Sequence, residues 1–384
     1  MKKLCILGGS ELQLPLIKEA KRSNIITLVV DWDDTCIGKK YADKFYCSST
    51  LDYDAIYNIA LKENIDGIVT ICSDKPMPII AKIGEQLNLK TISCDAALSA
   101  TNKALMRLRL KAHQVPIPEF FVCKNFNEFK AAILHFSNSF IVKPSDNSGS
   151  RGVVLANKDS DLSAVYQYSL SNSSNNEILV EEYMKGFEVS VEIFVVNNDP
   201  RVIQITDKIT TGAPHFIEIG HFQPSTVNHN LYEKISKVAI SAVKALAIDR
   251  GPAHVEIIVT KSGPKIVEVG ARLGGDHITT DLVPMSTGIN MVKMLIDDTL
   301  YKVSEFTATK SNFSGILYFN GPSTIEEDLL KCKSIVRFSS DQLTQYQRTK
   351  VESSNDRKGY ALFCSEEKHV IETDMEHIKR LTFV

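Results

Sequence analysis

Apolar residues in the first hundred positions fall into two alternating patterns. Lys3–Gly8 and Ile25–Val30 are continuous apolar runs too short for helices, and Glu11–Ser23 between them repeats at helical spacing. The alternation continues: Tyr53–Asn64 predicts a helix, Gly67–Ile71 a strand, Pro76–Leu87 a helix and Lys90–Ser93 a short strand. Strand and helix in repetition predict a parallel α/β sheet over residues 1–94. Its strand ends, Gly8–Ser10, Asp31 and Cys72–Asp74, would open on one crevice. The same three segments also read as ordinary turns between strands and helices.

Beyond this region the pattern changes. Ala96–Gln114 predicts one helix carrying Lys103, Arg107, Arg109 and Lys111, stopped by Val115-Pro116-Ile117-Pro118. Phe140–Pro144 and Val153–Ala156 are strand-like runs flanking Ser145–Gly152 (SDNSGSRG). Ile178–Val180, Val189–Val196 and Arg201–Thr206 predict further strands, Asp207–His221 a loop, and Tyr232–Ala247 an amphipathic helix. His254–Thr260 and Lys265–Val269 flank a Gly-Pro turn, the signature of a hairpin. A helix beginning at Asn290–Asp298 and a final region from Phe313, ending in a helix near Glu372–Leu381, complete the chain. The expected division is 1–112, 113–188, 189–312 and 313–384.

The hairpin carries the first candidate chemistry. Glu256 and Glu268 each interrupt an apolar strand, where acids are depleted and costly to bury unpaired. A hard divalent cation such as Mg2+ would reconcile them and could bridge them to phosphates; two acids facing water on an edge hairpin are the plainer reading. Arg272 could reach a developing anion, and Gly274-Gly275 would allow close backbone approach. Lys143, before a loop rich in Gly and Ser (Ser148 and Ser150 among them), suits phosphate oxygens, as does a solvated hairpin. Glu181, Glu182 and Glu188 cluster about a turn with Met184; such a turn can offer acceptors to adenine and to ribose hydroxyls.

Composition narrows the class. A net charge of -2 with 23% charged residues gives no electrostatic case for nucleic acid or an anionic membrane. No apolar run approaches a membrane span, and the N-terminal run ends at Gly8-Gly9, too early for a signal sequence. The 8 cysteines are scattered without metal-binding spacing, which suits a reducing cytoplasm.

Taken in order, these motifs resemble the ATP-grasp superfamily, over nearly the whole chain. The resemblance implies a parallel α/β N-terminal domain, an ATP-grasp α+β centre and a small C-terminal α+β domain. It implies that Lys103, Lys143, Ser148, Ser150, Glu181, Glu182, Met184 and Glu188 bind ATP, and that Glu256 and Glu268 hold Mg2+, with Mn2+ as an alternative. Arg272 is similar to the transition-state arginine. His221, Gly274, Gly275, Asp276 and His277 are substrate-site candidates by position. Gly270 departs from the family, which commonly places a metal-binding Asn there. EVGARLGGD looks like the branch of amino-acid and dipeptide ligases and biotin-carboxylase-like enzymes. The implied activity is ADP-forming ligation of a small carboxylate to an amine through an acyl phosphate, in a possible homodimer. The alternatives are a biotin-carboxylase-like or purine-pathway enzyme using bicarbonate or formate, an NAD-binding oxidoreductase built on residues 1–94, and a non-catalytic nucleotide binder.

Overall fold

The computed structural model describes residues 1–147, 149, 151–212, 216–303, 305–319, 325–340 and 356–382. Ser148 and Ser150 lie outside the described residues. The N-terminal sheet comprises β1 (Lys3–Leu7), β2 (Ile26–Asp31), β3 (Lys44–Cys47) and β4 (Gly67–Val69), all parallel, in the order β3-β2-β1-β4. Leu4, Cys5, Ile6 and Leu7 are all fully buried. Helices on both faces of a parallel sheet leave no wet side, which explains the continuous apolar runs.

A small antiparallel sheet follows: β5 (Phe120–Cys123), β6 (Phe140–Pro144), β7 (Val154–Ala156) and β8 (Ile178–Glu182), ordered β5-β8-β6-β7. Phe129, Phe140 and Tyr166 form its core against two helices, Phe126–Ile133 and Leu162–Ser171. The large sheet is antiparallel and 8-stranded. It comprises β9 (Gly186–Val196), β10 (Asp199–Thr210), β11 (Glu218–Gln223), β12 (Gly251–Thr260), β13 (Gly263–Gly270), β14 (Phe313–Phe319), β15 (Ile335–Ser339) and β16 (Gly359–Ser365). Their order is β13-β12-β9-β10-β11-β14-β16-β15. The region expected from residue 313 onward thus extends this sheet through the pairing of β14 with β11, covered by the helix Lys368–Thr382. The expected boundary at residue 189 falls inside β9, which is continuous.

Strand alternation gives the large sheet two unlike faces. Val255, Ile257 and Val259 of β12 join Val189, Val191 and Ile266 under the helix His229–Ala245. The opposite face carries Glu192, His254, Glu256 and Glu268, and it holds the polar site.

Three sequence expectations change. The helix expected over Ala96–Gln114 is two, Cys94–Thr101 and Lys103–Ala112. Asn102 between them is extended, and its side chain accepts from Leu105 N, an N-cap that breaks the first helix to start the second. Asp207–Thr210, expected as loop, continues β10, and Glu218–His221 opens β11. The segment reads as loop because the sequence does not show that its charged residues face one another across strands. Lys90–Ser93 forms no strand.

Candidate functional site

Glu256 and Glu268 stand directly opposite in the β12–β13 register, on the polar face. Like charges so placed repel unless compensated. Lys103 Nζ lies 2.8 Å from Glu268 Oε1, and Lys208 Nζ lies 3.2 Å from Glu256 Oε2. Burial would raise the Glu256 carboxyl, but Lys208 and His254 outweigh it and hold it well below the usual range. Both acids line a cavity of ≈ 450 Å³ between the two antiparallel sheets, a volume suited to a nucleotide-sized ligand.

The helix break aims Lys103. As the first residue of its helix it donates its N–H to Ser145 O at 2.7 Å, while Nζ donates to Asn147 O at 2.7 Å. The lysine therefore ties the large sheet's acid to the Ser145–Gly152 loop. Lys143, at the end of β6, places Nζ 2.7 Å from Glu181 Oε2. Arg107 holds the same carboxylate from the other side, at 2.7 and 3.2 Å, and donates to Val267 O at 2.8 Å. Burial pushes Glu181 up, but Arg107 and Lys143 bring it down to about 2. Burial pulls Lys143 below the usual lysine value, and Glu181 only partly opposes this because Arg107 and Lys103 stand nearby. Glu181 lines the cavity, yet its carboxylate is already held by these cations. Glu182, Tyr183, Met184 and Glu188 line the cavity beside it, with Glu182 paired to Lys265 at 2.8 Å. Burial, with Glu256 and Glu218 near, raises Glu188 despite Lys208.

Lys208 is a site residue that the sequence reading missed. Its side chain is 3% exposed and faces Glu218 at 2.7 Å, Glu256 at 3.2 Å and Glu188 at 3.6 Å. Burial disfavours its charge, but the three carboxylates raise its pKa well above the usual value. Period-two alternation continued through Asp207-Lys208-Ile209 was the available signal. Glu192 and His254, fully and almost fully buried, were also missed; His254 Nδ1 lies 2.7 Å from Glu192 Oε1 and its Nε2 3.6 Å from Glu256 Oε1.

The substrate candidates divide. His221 is fully buried, with Nε2 3.3 Å from Glu218 Oε2 and 3.8 Å from Asp276 Oδ2. Burial lowers its pKa, but the two carboxylates prevail and raise it. The ligand atoms of Glu218, His221 and Asp276 lie within 4.8 Å of one another. Lys208 pairs with Glu218 at 2.7 Å, and Arg357 lies 2.6 and 3.0 Å from Asp276, so the cluster belongs to one buried charge network with Glu256. His277 points elsewhere: Nδ1 meets Asp281 at 2.8 Å and its ring packs against Tyr360. Gly274 was expected to admit a ligand. A Cβ there would lie 2.6 Å from His254 Nδ1, so its smallness serves packing against the His254–Glu192 pair. Arg272 holds Asp74 of the N-terminal region at 3.0 and 3.1 Å.

The N-terminal glycine turn is occupied by its own chain. Gly9 N donates to Asp31 Oδ2 at 2.6 Å, and a Cβ on Gly9 would lie 2.6 Å from Cys36 Sγ. The amide and acid that a dinucleotide would need are bonded to each other, which removes the basis for the NAD-binding alternative.

Thiol chemistry plays no evident part in the site. Burial pushes Cys5, Cys72 and Cys123 up to about 12, while Cys47 is exposed. Alkylation of the native protein at pH 8 followed by peptide mass mapping should modify Cys47 and spare those three. Rapid labelling of Cys72 would show that its loop opens.

Residues 136–281 match the family model of the ATP-grasp domain. The formate-dependent phosphoribosylglycinamide formyltransferase of Sulfurisphaera tokodaii is 27% identical over 281 residues, covering 71% of this chain and 70% of that protein. An L-amino acid ligase structure from Bacillus licheniformis superposes with a TM-score of 0.86 at 21% identity, over 99% of this chain and 98% of that one. A phosphoribosylglycinamide synthetase structure from Anaerococcus prevotii gives 0.78 at 23% identity, over 99% and 98%. These two likenesses establish the fold. No described helix is long and apolar enough to cross a membrane. With the acid pair, the cavity and the matched segment in place, residues 136–281 are an ATP-grasp domain, set in a chain whose overall fold is that of the two superposed structures.

Proposed function

We propose that this enzyme joins a small-molecule carboxylate to an amine with conversion of ATP to ADP and phosphate. The observation that carries the reading is the facing pair Glu256–Glu268 at the wall of a nucleotide-sized cavity, flanked by Lys103 and Lys208. Two carboxylates are hard oxygen donors that fit Mg2+, with Mn2+ as an alternative. Bound there, the cation would offset the charge of the ATP phosphates. Tyr183, Met184 and Glu188 would hold the nucleoside. Lys103 and Lys143 would face the phosphates, closed in by the Ser145–Gly152 loop. An oxygen of the substrate carboxylate forms a bond to the γ-phosphorus as the bond to ADP breaks. The amine nitrogen then attacks the acyl carbon, phosphate leaves, and the amine's proton passes to the Glu218–His221–Asp276 cluster. Arg272 would face the developing oxyanion. Asp74 of the N-terminal region pairs with Arg272, and the C-terminal Arg357 pairs with Asp276, beside this centre.

The N-terminal crevice favours an unphosphorylated amine. Its turn amide is bound to Asp31, and Asp33 and Asp34 follow, so acids stand where a phosphoribosyl group would need donors and cations. The likeness to the formyltransferase supports a second reading, in which formate or bicarbonate is the acid activated.

One experiment separates these. ADP release would be measured with Mg-ATP against a matrix of carboxylates and amines, with product masses. Release requiring both partners, and a product equal to their sum less water, is the expected result. Release with formate or bicarbonate and a phosphoribosyl amine would select the second reading. No nucleotide binding at all would reject both.

A further inference from the structure

Gly270 stands where the superfamily pattern commonly has a metal-binding Asn. Its φ is not among the positive values in the chain, so the backbone does not demand glycine there. What glycine supplies is space. A Cβ at 270 would lie 2.7 Å from Asp74 Oδ1 and 3.1 Å from Arg272 Nε. The volume of the missing side chain is therefore filled by a carboxylate from the N-terminal region. It sits two residues along β13 from Glu268, on the same face, opposite His254.

Asp74 does not arrive there loosely. Its loop docks on the segment after β13: Cys72 N donates to Leu273 O at 3.2 Å and Cys72 Sγ to Gly274 O at 3.5 Å. Gln13 Nε2 fixes the loop from behind through Ile71 O at 2.8 Å. Both Asp74 oxygens then engage Arg272, at 3.0 and 3.1 Å. Arg272 Nε lies 3.1 Å from where a Gly270 Cβ would stand, and Gly270 pairs with His254, two residues along β12 from Glu256; each group favours the other's charged form. A poorly solvated arginine deprived of one carboxylate moves towards the next.

We infer that Asp74 is a positioning residue of the reaction centre. It enters through the gap at Gly270 and holds Arg272 away from Glu256, so that a divalent cation at Glu256 and Glu268 competes with Lys208, His254 and Lys103 but not with Arg272 as well. The inference rests on the nucleotide reading above. It makes the glycine an opening through which the N-terminal region completes the centre.

The test is Mn2+ affinity of the full chain saturated with ADP, followed by electron paramagnetic resonance. Asp74→Ala should weaken Mn2+ binding about tenfold or more, because Arg272 turns onto Glu256. Removing that arginine as well, in Asp74→Ala/Arg272→Ala, should restore affinity to within about threefold of wild type. A mere brace between regions, lost twice over, would show no such recovery. Asp74→Asn, which keeps shape and fold but loses charge, should weaken binding in the same direction. Equal affinity in wild type and both single variants, or no recovery in the double variant, overturns the inference and leaves the nucleotide reading standing. A wild-type chain that binds no Mn2+ with ADP overturns both.

Discussion

Replacing Arg107 with alanine is expected to remove about 3–5 kcal/mol of folding stability, the cost of leaving a buried charge short of its partner. Arg107 is 1% exposed and grips both oxygens of Glu181. Without it, Glu181 keeps only Lys143 at 2.7 Å, with little of its side chain reached by water. The effect has a pH signature. Glu181 is held at about 2, below the usual glutamate value of 4.5. Its ion pairs therefore contribute fully above pH 4.5 and lose that contribution as pH falls towards 2. In the variant, burial faces only Lys143, the carboxyl rises, and acid unfolding begins at higher pH. Urea unfolding at pH 7, with an acid titration followed by circular dichroism, reads both effects. A loss under about 1 kcal/mol, the size of an exposed pair, would mean that water reaches Glu181.

Glu256→Gln and Glu268→Gln should each lower ADP formation by about 10²–10³-fold, corresponding to several kcal/mol of lost charge stabilisation at the phosphates. The fold should persist in both. Lys208 keeps Glu218 at 2.7 Å after the first change, and Lys103 keeps Asn147 O at 2.7 Å after the second. Raising Mg2+ should recover part of the lost rate, because the variants weaken cation binding more than they alter the cavity. Turnover measured across a Mg2+ series decides this. Wild-type rates in either variant at low Mg2+ would remove these acids from the centre.

Lys103 shows how far a sequence can be read and where it stops. On a basic helix it reads as part of a solvated face, and only the family resemblance implied that it binds ATP. The helix drawn through it was wrong, because Asn102 has both a helix-compatible context and a capping side chain. Only the contact of Lys103 N with Ser145 O shows which won. Lys208 shows the opposite case. It lies in a run that reads as polar loop, and its role depends on Glu218, Glu256 and Glu188 from three other strands. Arg357 is likewise silent until it meets Asp276, far away in the chain.

The sequence by itself determined the parallel N-terminal sheet, the hairpin and its two acids. It also placed Lys143 before the Ser145–Gly152 loop. These follow from local period, turn chemistry and spacing, which are properties of neighbours along the chain. Only the tertiary structure decided that Glu181 answers Arg107 and Lys143, that Gly274 packs on His254, and that Asp74 fills the space over Gly270. Each of those depends on which charges share a buried volume. That choice is made by the register of strands and the docking of the N-terminal loop, and it leaves no periodic trace in the chain.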